Sequence, residues 1–450
     1  MANRLACRGI TATVGVAVLT LGAVACGGTG STTADQAANV DCKPYKKYGD
    51  LSGKQITVYT SIVAPEDQPH INSYKPFEQC TGAKVVYEGS KEFEAQVVVR
   101  AKSGNAPDIA YVPQPGLLQT LVRDTKAVKP ASKGVVDNVD KYFGKDWKSY
   151  GTVDGAFYAA PIGANVKSFV WYSPKQFAKK GYQVPQTWDD MIALSDQIVK
   201  DGGKPWCAGI GSGEATGWPA TDWMEDVMLR MYGPDVYNQW VTHKIPFNDP
   251  KVAAVLAKVG SILKNPDYVN GGLGDVTSVA STTFQDAGLP ILDGTCFLHR
   301  QASFYQANWP EGTKVGKDGD VYAFYLPPIN KKFGKPVLGG GEFAVAFSDR
   351  PEVVAFQEFL SSPEWANLKA KEGNWISANT GLDIANVDTP VNKLSVQLLQ
   401  DPNAVFRFDG SDLMPGEVGA GSFWTEMTNW IANNKPDKQV LNAIERSWPK

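Results

Sequence analysis

The chain of 450 residues has only three histidines, His70, His243 and His299, and none stands at the short spacing from another that a metal site uses. It has no G-x-G-x-x-G loop, no phosphate-cradling loop with its lysine and no H-E-x-x-H helix. A G-x-S-x-G nucleophile turn is absent too. Nucleotide folds and the common metal- and serine-dependent hydrolases therefore lose their usual signatures, and neither a metal nor a cofactor is expected. The chain also lacks any excess of basic charge, with 44 Lys and Arg against 47 Asp and Glu, which leaves no electrostatic handle for nucleic acid. Beyond the N-terminus no stretch is apolar enough to span a bilayer.

The N-terminus is the exception to this shortage of apolar runs. Arg4 and Arg8 precede Ile10–Ala25, which is interrupted only by small residues. A basic start followed by an apolar run shorter than the roughly 20 residues of a membrane-spanning helix reads as a signal peptide, residues 1–25. Leu21-Gly22-Ala23-Val24-Ala25-Cys26 resembles a bacterial lipobox, with Ala23 where Leu is usual. That resemblance implies cleavage before Cys26, lipid on its thiol and attachment to the outer face of the cell membrane. The other reading is an ordinary secretory signal with Cys26 incidental. Gly27-Gly28-Thr29-Gly30-Ser31-Thr32-Thr33 has tether composition, and 26–50 is expected to be a lipidated flexible tether whose end is tied down near Cys42 and Tyr45. Four cysteines remain, Cys42, Cys80, Cys207 and Cys296, which allow three pairings. Cys42 and Cys80 each precede an expected strand, and Cys207 and Cys296 each lie at one. Cys42–Cys80 and Cys207–Cys296 are the favoured bridges, four free thiols the alternative.

From residue 51 the pattern alternates. Lys54–Tyr59, Lys84–Glu88 and Pro107–Val112 read as strands. A helix ending at Thr81-Gly82, another over Phe93–Ser103 and a third opening at Gly116 separate and follow them. Such βαβαβ order argues for an open parallel sheet whose ligands bind beyond the carboxyl ends of its strands. Asp154-Gly155 marks a hairpin turn. Ala164–Tyr172 reads as one long strand, and Thr187 as the N-cap of a helix. Further strands are expected near Cys207–Ile210 and Ile291–Gly294. Thirteen Trp and seventeen Tyr suit flat ligands such as sugar faces, although a large core would use them as well.

Taken in order, several segments carry a family likeness. They are Gly104-Asn105-Ala106-Pro107-Asp108-Ile109, Pro161-Ile162-Gly163 with Trp171-Tyr172, Thr187-Trp188-Asp189-Asp190, Asp349-Arg350-Pro351-Glu352, Ser361-Ser362-Pro363-Glu364-Trp365 and Leu413-Met414-Pro415 before Ser422-Phe423-Trp424. The chain from about residue 51 resembles the extracellular sugar-binding proteins of bacterial ABC importers, the maltose-binding class, and most of all actinobacterial α-glucoside-binding lipoproteins. The likeness implies an α/β, two-lobed periplasmic-binding-protein fold of type II, maltose-binding-protein-like, with hinge-crossing strands. It implies a first lobe of 51–164 and 338–376 and a second of 165–335 and 377–450. It further implies a monomer that is not an enzyme and whose partners are a small sugar, the membrane permease and, through Cys26, lipid. Thr295-Cys296-Phe297 stands where the maltose type has a stacking tryptophan, and Gln114 replaces a charged acceptor. Both departures point to a small α-glucoside, such as trehalose, sucrose or maltose, rather than maltodextrin.

Recognising a sugar needs converging donors and acceptors beside a flat apolar face. Glu66, Ser90 and Gln114 lie in the three strand-end loops, and Asn165 at the first crossing. Glu214–Trp223 sets Trp218, Asp222 and Trp223 around a Gly/Pro turn, with one of the two tryptophans expected in the core. His299 and Arg300 follow the expected strand end at Asp293-Gly294. Gly341 and Glu342 end a glycine run at the second crossing. Trp375, Asp412 and Trp424 are candidates by family position alone. Two other readings stand beside the sugar receptor: a receptor of the same fold for a glycerol phosphodiester, and a surface glycoside hydrolase.

Overall fold

The computed structural model describes residues 40–450 apart from 273, 402 and 450 and the side chains of Asp146 and Gln400. The expected signal peptide, Cys26 and the tether up to residue 39 lie outside the described residues. Among the described residues no helix is long and apolar enough to cross a membrane.

Two five-stranded sheets build two α/β lobes. In the first, Lys84–Gly89, Gln55–Thr60 and Ile109–Val112 run parallel, and Phe343–Ala346 and Ala159–Pro161 continue the sheet antiparallel. The second repeats the plan. Val269–Asn270, Lys204–Cys207 and Cys296–Arg300 are parallel, followed by antiparallel Phe169–Tyr172 and Tyr322–Tyr325. A third sheet of Ala404–Phe408, Lys335–Gly340 and Asn165–Val166 lies where the chain passes from one lobe to the other.

Local sequence explains the elements. Asp67 caps Gln68–Thr81 by accepting from the Gln68 N–H, and Gly82 ends that helix at φ 80°, a conformation costly for a residue with a Cβ. Phe93, Val97 and Ala101 recur every four residues and form the buried stripe of Phe93–Lys102. Thr187 and Asp190 form a reciprocal capping box for Trp188–Lys200. Asp154 and Gly155, both at positive φ, turn the hairpin between Thr152–Val153 and Ala156–Phe157.

Both bridges form. Cys42–Cys80 has a Cα separation of 5.2 Å and Cys207–Cys296 one of 5.5 Å. The first bridge and the buried ring of Tyr45, inside the short helix Lys43–Tyr48, fasten the end of the expected tether to the first lobe. Residues 43–48 are therefore packed structure and not flexible chain.

Three sequence expectations change. Ala164–Tyr172 is two strands, because the chain leaves one sheet at Val166 and enters another at Phe169. Ile291–Gly294 is a helical turn and loop. The strand begins at Cys296, so His299 and Arg300 lie inside it rather than after its end. The strand expected over Cys207–Ile210 is Lys204–Cys207.

The Pro-Asp-Ile segment has a mechanical reason. Asp108 accepts from the Thr57 N–H at 2.9 Å and the Thr57 hydroxyl at 3.1 Å with one oxygen, and from Arg350 at 2.6 Å with the other. One carboxylate thus joins two neighbouring strands to the residue that opens helix Pro351–Leu360. Asp108→Ala is expected to lower unfolding free energy by about 1–3 kcal/mol, the cost of stranding such partners. Urea denaturation measures it, and a change below about 0.5 kcal/mol would show that the strands and helix hold without this link.

Candidate functional site

The carboxyl-terminal ends of both parallel strand sets face each other across a cavity of about 240 Å³. Glu66 and Gln114 reach it from first-lobe loops, and Trp218, Gln285 and Phe304 from the second lobe. Asn165, Lys167, Gly341 and Glu342 come from the crossings, and Trp375, Asp412 and Trp424 from the C-terminal third. The lobes touch where Asn308 donates to Glu66 at 3.4 Å.

One wall is aromatic. The half-buried Trp218 ring packs edge-on to Phe284 at 4.9 Å and lies 6.0 Å from Phe304. Around this wall, buried polar atoms have no hydrogen-bond partner among the described residues. They include Glu94 Oε2, Gln114 Oε1, Asn165 Oδ1 and Gln285 Oε1 as acceptors, and the indole N–H groups of Trp375 and Trp424 as donors. Burying such atoms unmatched is costly, so an arrangement of this kind fits a ligand that completes it. At the first crossing a side chain on Gly163 would place its Cβ 2.2 Å from a Glu342 oxygen and 3.0 Å from the Trp375 nitrogen. Glycine is what lets both approach.

The cavity's acids are tuned by burial. It pushes Glu66 up to about 7, against the hydrogen bond from Asn308 and with help from Glu342. Burial raises Glu94 and Glu342 as well. Asp412 is held well above its ordinary value by burial and then by the charge of Asp409, so it can present an O–H donor.

Beneath the cavity runs a buried chain of alternating charges. Lys167 donates to Asp222 at 3.0 Å and to Asp409. Asp222 also accepts from Arg300 at 3.2 Å, and Arg300 donates to Asp226 at 2.7 Å. Asp226 accepts in turn from Arg230. Arg230 donates onward to the carbonyls of Leu326 at 2.9 Å and Pro336 at 3.1 Å. Burial alone would lower the Lys167 pKa, but Asp222, Asp409 and Asp412 raise it well above its ordinary value, so this lysine stays charged. Despite burial, Lys167 keeps Asp409 well below the carboxylate range. Asp222, Glu225 and Asp409 lie close enough to share a metal ion. The Lys167 ammonium already supplies the cation there.

The expected residues divide accordingly. Glu66, Gln114, Asn165, Trp218, Gly341, Glu342, Trp375, Asp412 and Trp424 line the cavity. Five others are not among its lining residues. Ser90 accepts from the Glu92 N–H and shapes its own loop. Asp222 and Arg300 belong to the charge chain, where Asp222 accepts from Lys167 and Arg300, and Arg300 donates through its two terminal nitrogens to Asp222 and Asp226. Trp223 is the core tryptophan of the pair, 5.2 Å from the Trp206 ring. His299 is buried with its Nδ1 2.9 Å from the Cys207 carbonyl oxygen, and burial lowers its pKa to about 4. The sequence reading missed Lys167, Glu94, Gln285, His70 and Lys369, all lining the cavity. Lys167 had one signal, a lone charge inside the apolar run Ala164–Tyr172. Lys369 had another, because it shares a helix face with buried Trp365 and Ala366.

A family model described as bacterial extracellular solute-binding protein matches residues 59–367. The osmoprotective compounds-binding protein of Synechocystis is 38% identical over 404 residues, which cover 89% of this chain and 94% of that one. The alpha-glucosides-binding periplasmic protein of Rhizobium meliloti is 38% identical over 416 residues, covering 90% and 89%. Among solved structures, a bacterial solute receptor with preference for β-D-galactopyranose aligns with a TM-score of 0.75 at 19% identity, covering 87% of this chain and 98% of that one. A maltose-bound protein of T. maritima aligns with a TM-score of 0.66 at 16% identity, covering 87% and 98%. At those identities the two structures bear on the fold alone.

Two outcomes follow from the site's charges. Lys167→Met should cost about 3–5 kcal/mol of stability, because it strands buried Asp409 and leaves Asp222 with Arg300 as its one cationic partner. Urea denaturation reads this, and a loss below about 1 kcal/mol would show that those carboxylates find another partner or a proton. Glu66, with its folded pKa raised to about 7 from its ordinary 4.5, binds a proton more tightly in the folded state. Its contribution to stability is therefore full below about pH 4.5 and is lost as pH rises through about 7. Thermal midpoints of wild type and Glu66→Gln across pH 4–8 should diverge in that window, and parallel curves would mean that Glu66 titrates normally.

Proposed function

Because this chain belongs to the bacterial extracellular solute-binding protein family, whose members serve ABC transporters as receptors and not as enzymes, we propose that its ligand is a small α-glucoside held in the cavity between the lobes. The observation that carries this reading is the set of unpartnered acceptors and donors around the Trp218 face. Sugar hydroxyls both donate and accept, so one ring can satisfy Gln114, Asn165 and Glu94 while its apolar face lies on an aromatic side chain. The name of the α-glucosides-binding relative supports the same class. A phosphodiester is disfavoured because Glu66, Glu94, Glu342 and Asp412 share the cavity with the lysines.

In this reading the first lobe is 51–164 with 338–376, and the second is 165–335 with 377–450. The lobes bend at the crossings and close over the sugar, and the closed form is what the permease engages. Residues 1–25 are removed, Cys26 carries lipid, and the monomeric receptor stays at the outer face of the membrane. Tethering raises its effective concentration at the permease without any added contact.

Titration calorimetry against trehalose, sucrose, maltose and glycerophosphodiesters tests the ligand. Saturable binding of an intact α-glucoside is expected, with a change in tryptophan fluorescence. Binding of phosphodiesters alone, or release of glucose, would overturn the reading. Gln114→Ala should weaken the preferred sugar by about 2- to 10-fold, the worth of a neutral hydrogen bond.

A further inference from the structure

Lys369 is 2% exposed, on the buried face of helix Pro363–Lys371, and lines the cavity. Its ammonium sits 5.4 Å from the centre of the Trp375 ring. Among the described residues it has neither a hydrogen-bond acceptor nor an ion-pair partner in contact. Four carboxylates favour its charge from a distance, Glu342 most, then Glu372, Glu66 and Asp388. The charge is thus balanced while three N–H donors remain unmatched. What the site lacks is an acceptor atom and not an anion. An anionic group brought to Lys369 would have to approach Glu66 and Glu342 in the same cavity. The Trp375 N–H, also unmatched, points to the same need.

We propose that Lys369 is a specificity-determining residue of this receptor: it donates to an oxygen of a neutral glycoside, while Glu66 and Glu342 beside it disfavour glycosides that carry an acid. The inference rests on the cavity being the sugar site. The groups around Lys369 set its pH response. Burial lowers its pKa to about 8, against the pull of the four acids. His70, from helix Gln68–Thr81, is kept neutral well below its ordinary value by burial and by Lys369 itself. Glu66, from the strand-end loop, and Glu342, from the crossing, are both raised by burial. A bound neutral oxygen favours the protonated amine, so affinity should fall as pH rises through about 8.

The test uses the whole mature receptor and the tightest-binding of trehalose, sucrose and maltose, with a uronic-acid disaccharide as the anionic comparison. Lys369→Met should weaken the neutral sugar by about 10- to 100-fold, the worth of a hydrogen bond from a charged donor. Its thermal midpoint should not fall, since a buried charge has been removed. Lys369→Arg should retain most of the affinity and abolish its decline between pH 7.5 and 9.5. Wild type should bind the acidic disaccharide far more weakly than the neutral one. A Lys369→Met variant that binds the neutral sugar as wild type does, or a wild-type affinity flat across that pH range, would overturn the inference alone. Failure of wild type to bind any of the sugars would overturn the ligand assignment and this inference with it.

Discussion

The structure depends most on Lys167 and the charges below it. This one ammonium lies on the segment between Asn165–Val166 and Phe169–Tyr172, where the chain passes between lobes. It holds Asp222 of the helix that opens at Trp218 and breaks at Gly233, and Asp409 beside the hinge strand Ala404–Phe408. The alternation continues through Arg300, Asp226 and Arg230 to the carbonyl of Pro336 in the other crossing strand. Ser168 donates to Asp226 at 2.7 Å and accepts from the Leu338 N–H at 2.8 Å, which stitches the two crossings together. Buried ion pairs are a weak source of net stability, but each is directional and expensive to leave half made. The chain therefore fixes where the second lobe's helix and central strand sit relative to the hinge, and hence where Trp218 faces the cavity.

That arrangement divides rigid from adaptable parts. Trp218 stands at the start of the helix that carries Asp222, Asp226 and Arg230, and the Lys167 ammonium lies 5.1 Å from the centre of its ring. The aromatic wall is thus fixed by the charge chain. The first-lobe groups, Glu66 and Gln114, come instead from loops beyond strand ends, with Gln114 donating to Glu94 at 3.2 Å. Approach of one lobe to the other brings loop acceptors against a fixed aromatic face, the geometry a ring of hydroxyls requires.

How much of this the sequence disclosed follows from the range of the interactions. Alternation, caps and turns are local, so the first-lobe strands, the Thr187 cap, the Asp154-Gly155 hairpin and both cysteine pairs were legible. That Gln114 and Glu66 line the cavity was legible because strand-end loops of a parallel sheet border the cleft by topology. The charge chain was not, since Lys167 meets Asp409 across 242 residues. Asp222, His299 and Arg300 looked like ligand groups for the same reason: a polar residue near a cleft reads alike whether its partner is a sugar or a distant side chain. The strand expected over Ile291–Gly294 added to this, because the strand begins at Cys296 and carries His299 and Arg300 inside it. Lys369 went unread because a long side chain on a helix commonly lets its amine reach water, and only tertiary packing closes that route here.

The unpartnered atoms have a further consequence for how such a receptor works. With the lobes apart, Gln114, Asn165, Glu94 and Lys369 can all be hydrated. With the lobes together, each exchanges bulk water for the few partners a closed cavity holds, and any group left unmatched costs on the order of 1–3 kcal/mol. Closure without sugar is therefore opposed by the same groups that favour closure with it. A ligand shifts this equilibrium only by its differential affinity for the two states. On the proposed reading the difference arises at named atoms, because the second lobe's Trp218 and Gln285 and the first lobe's Gln114 and Glu66 would meet one sugar together only when the lobes approach. The polar atoms that weaken the empty closed form are thus what would let a permease distinguish a loaded receptor from an unloaded one.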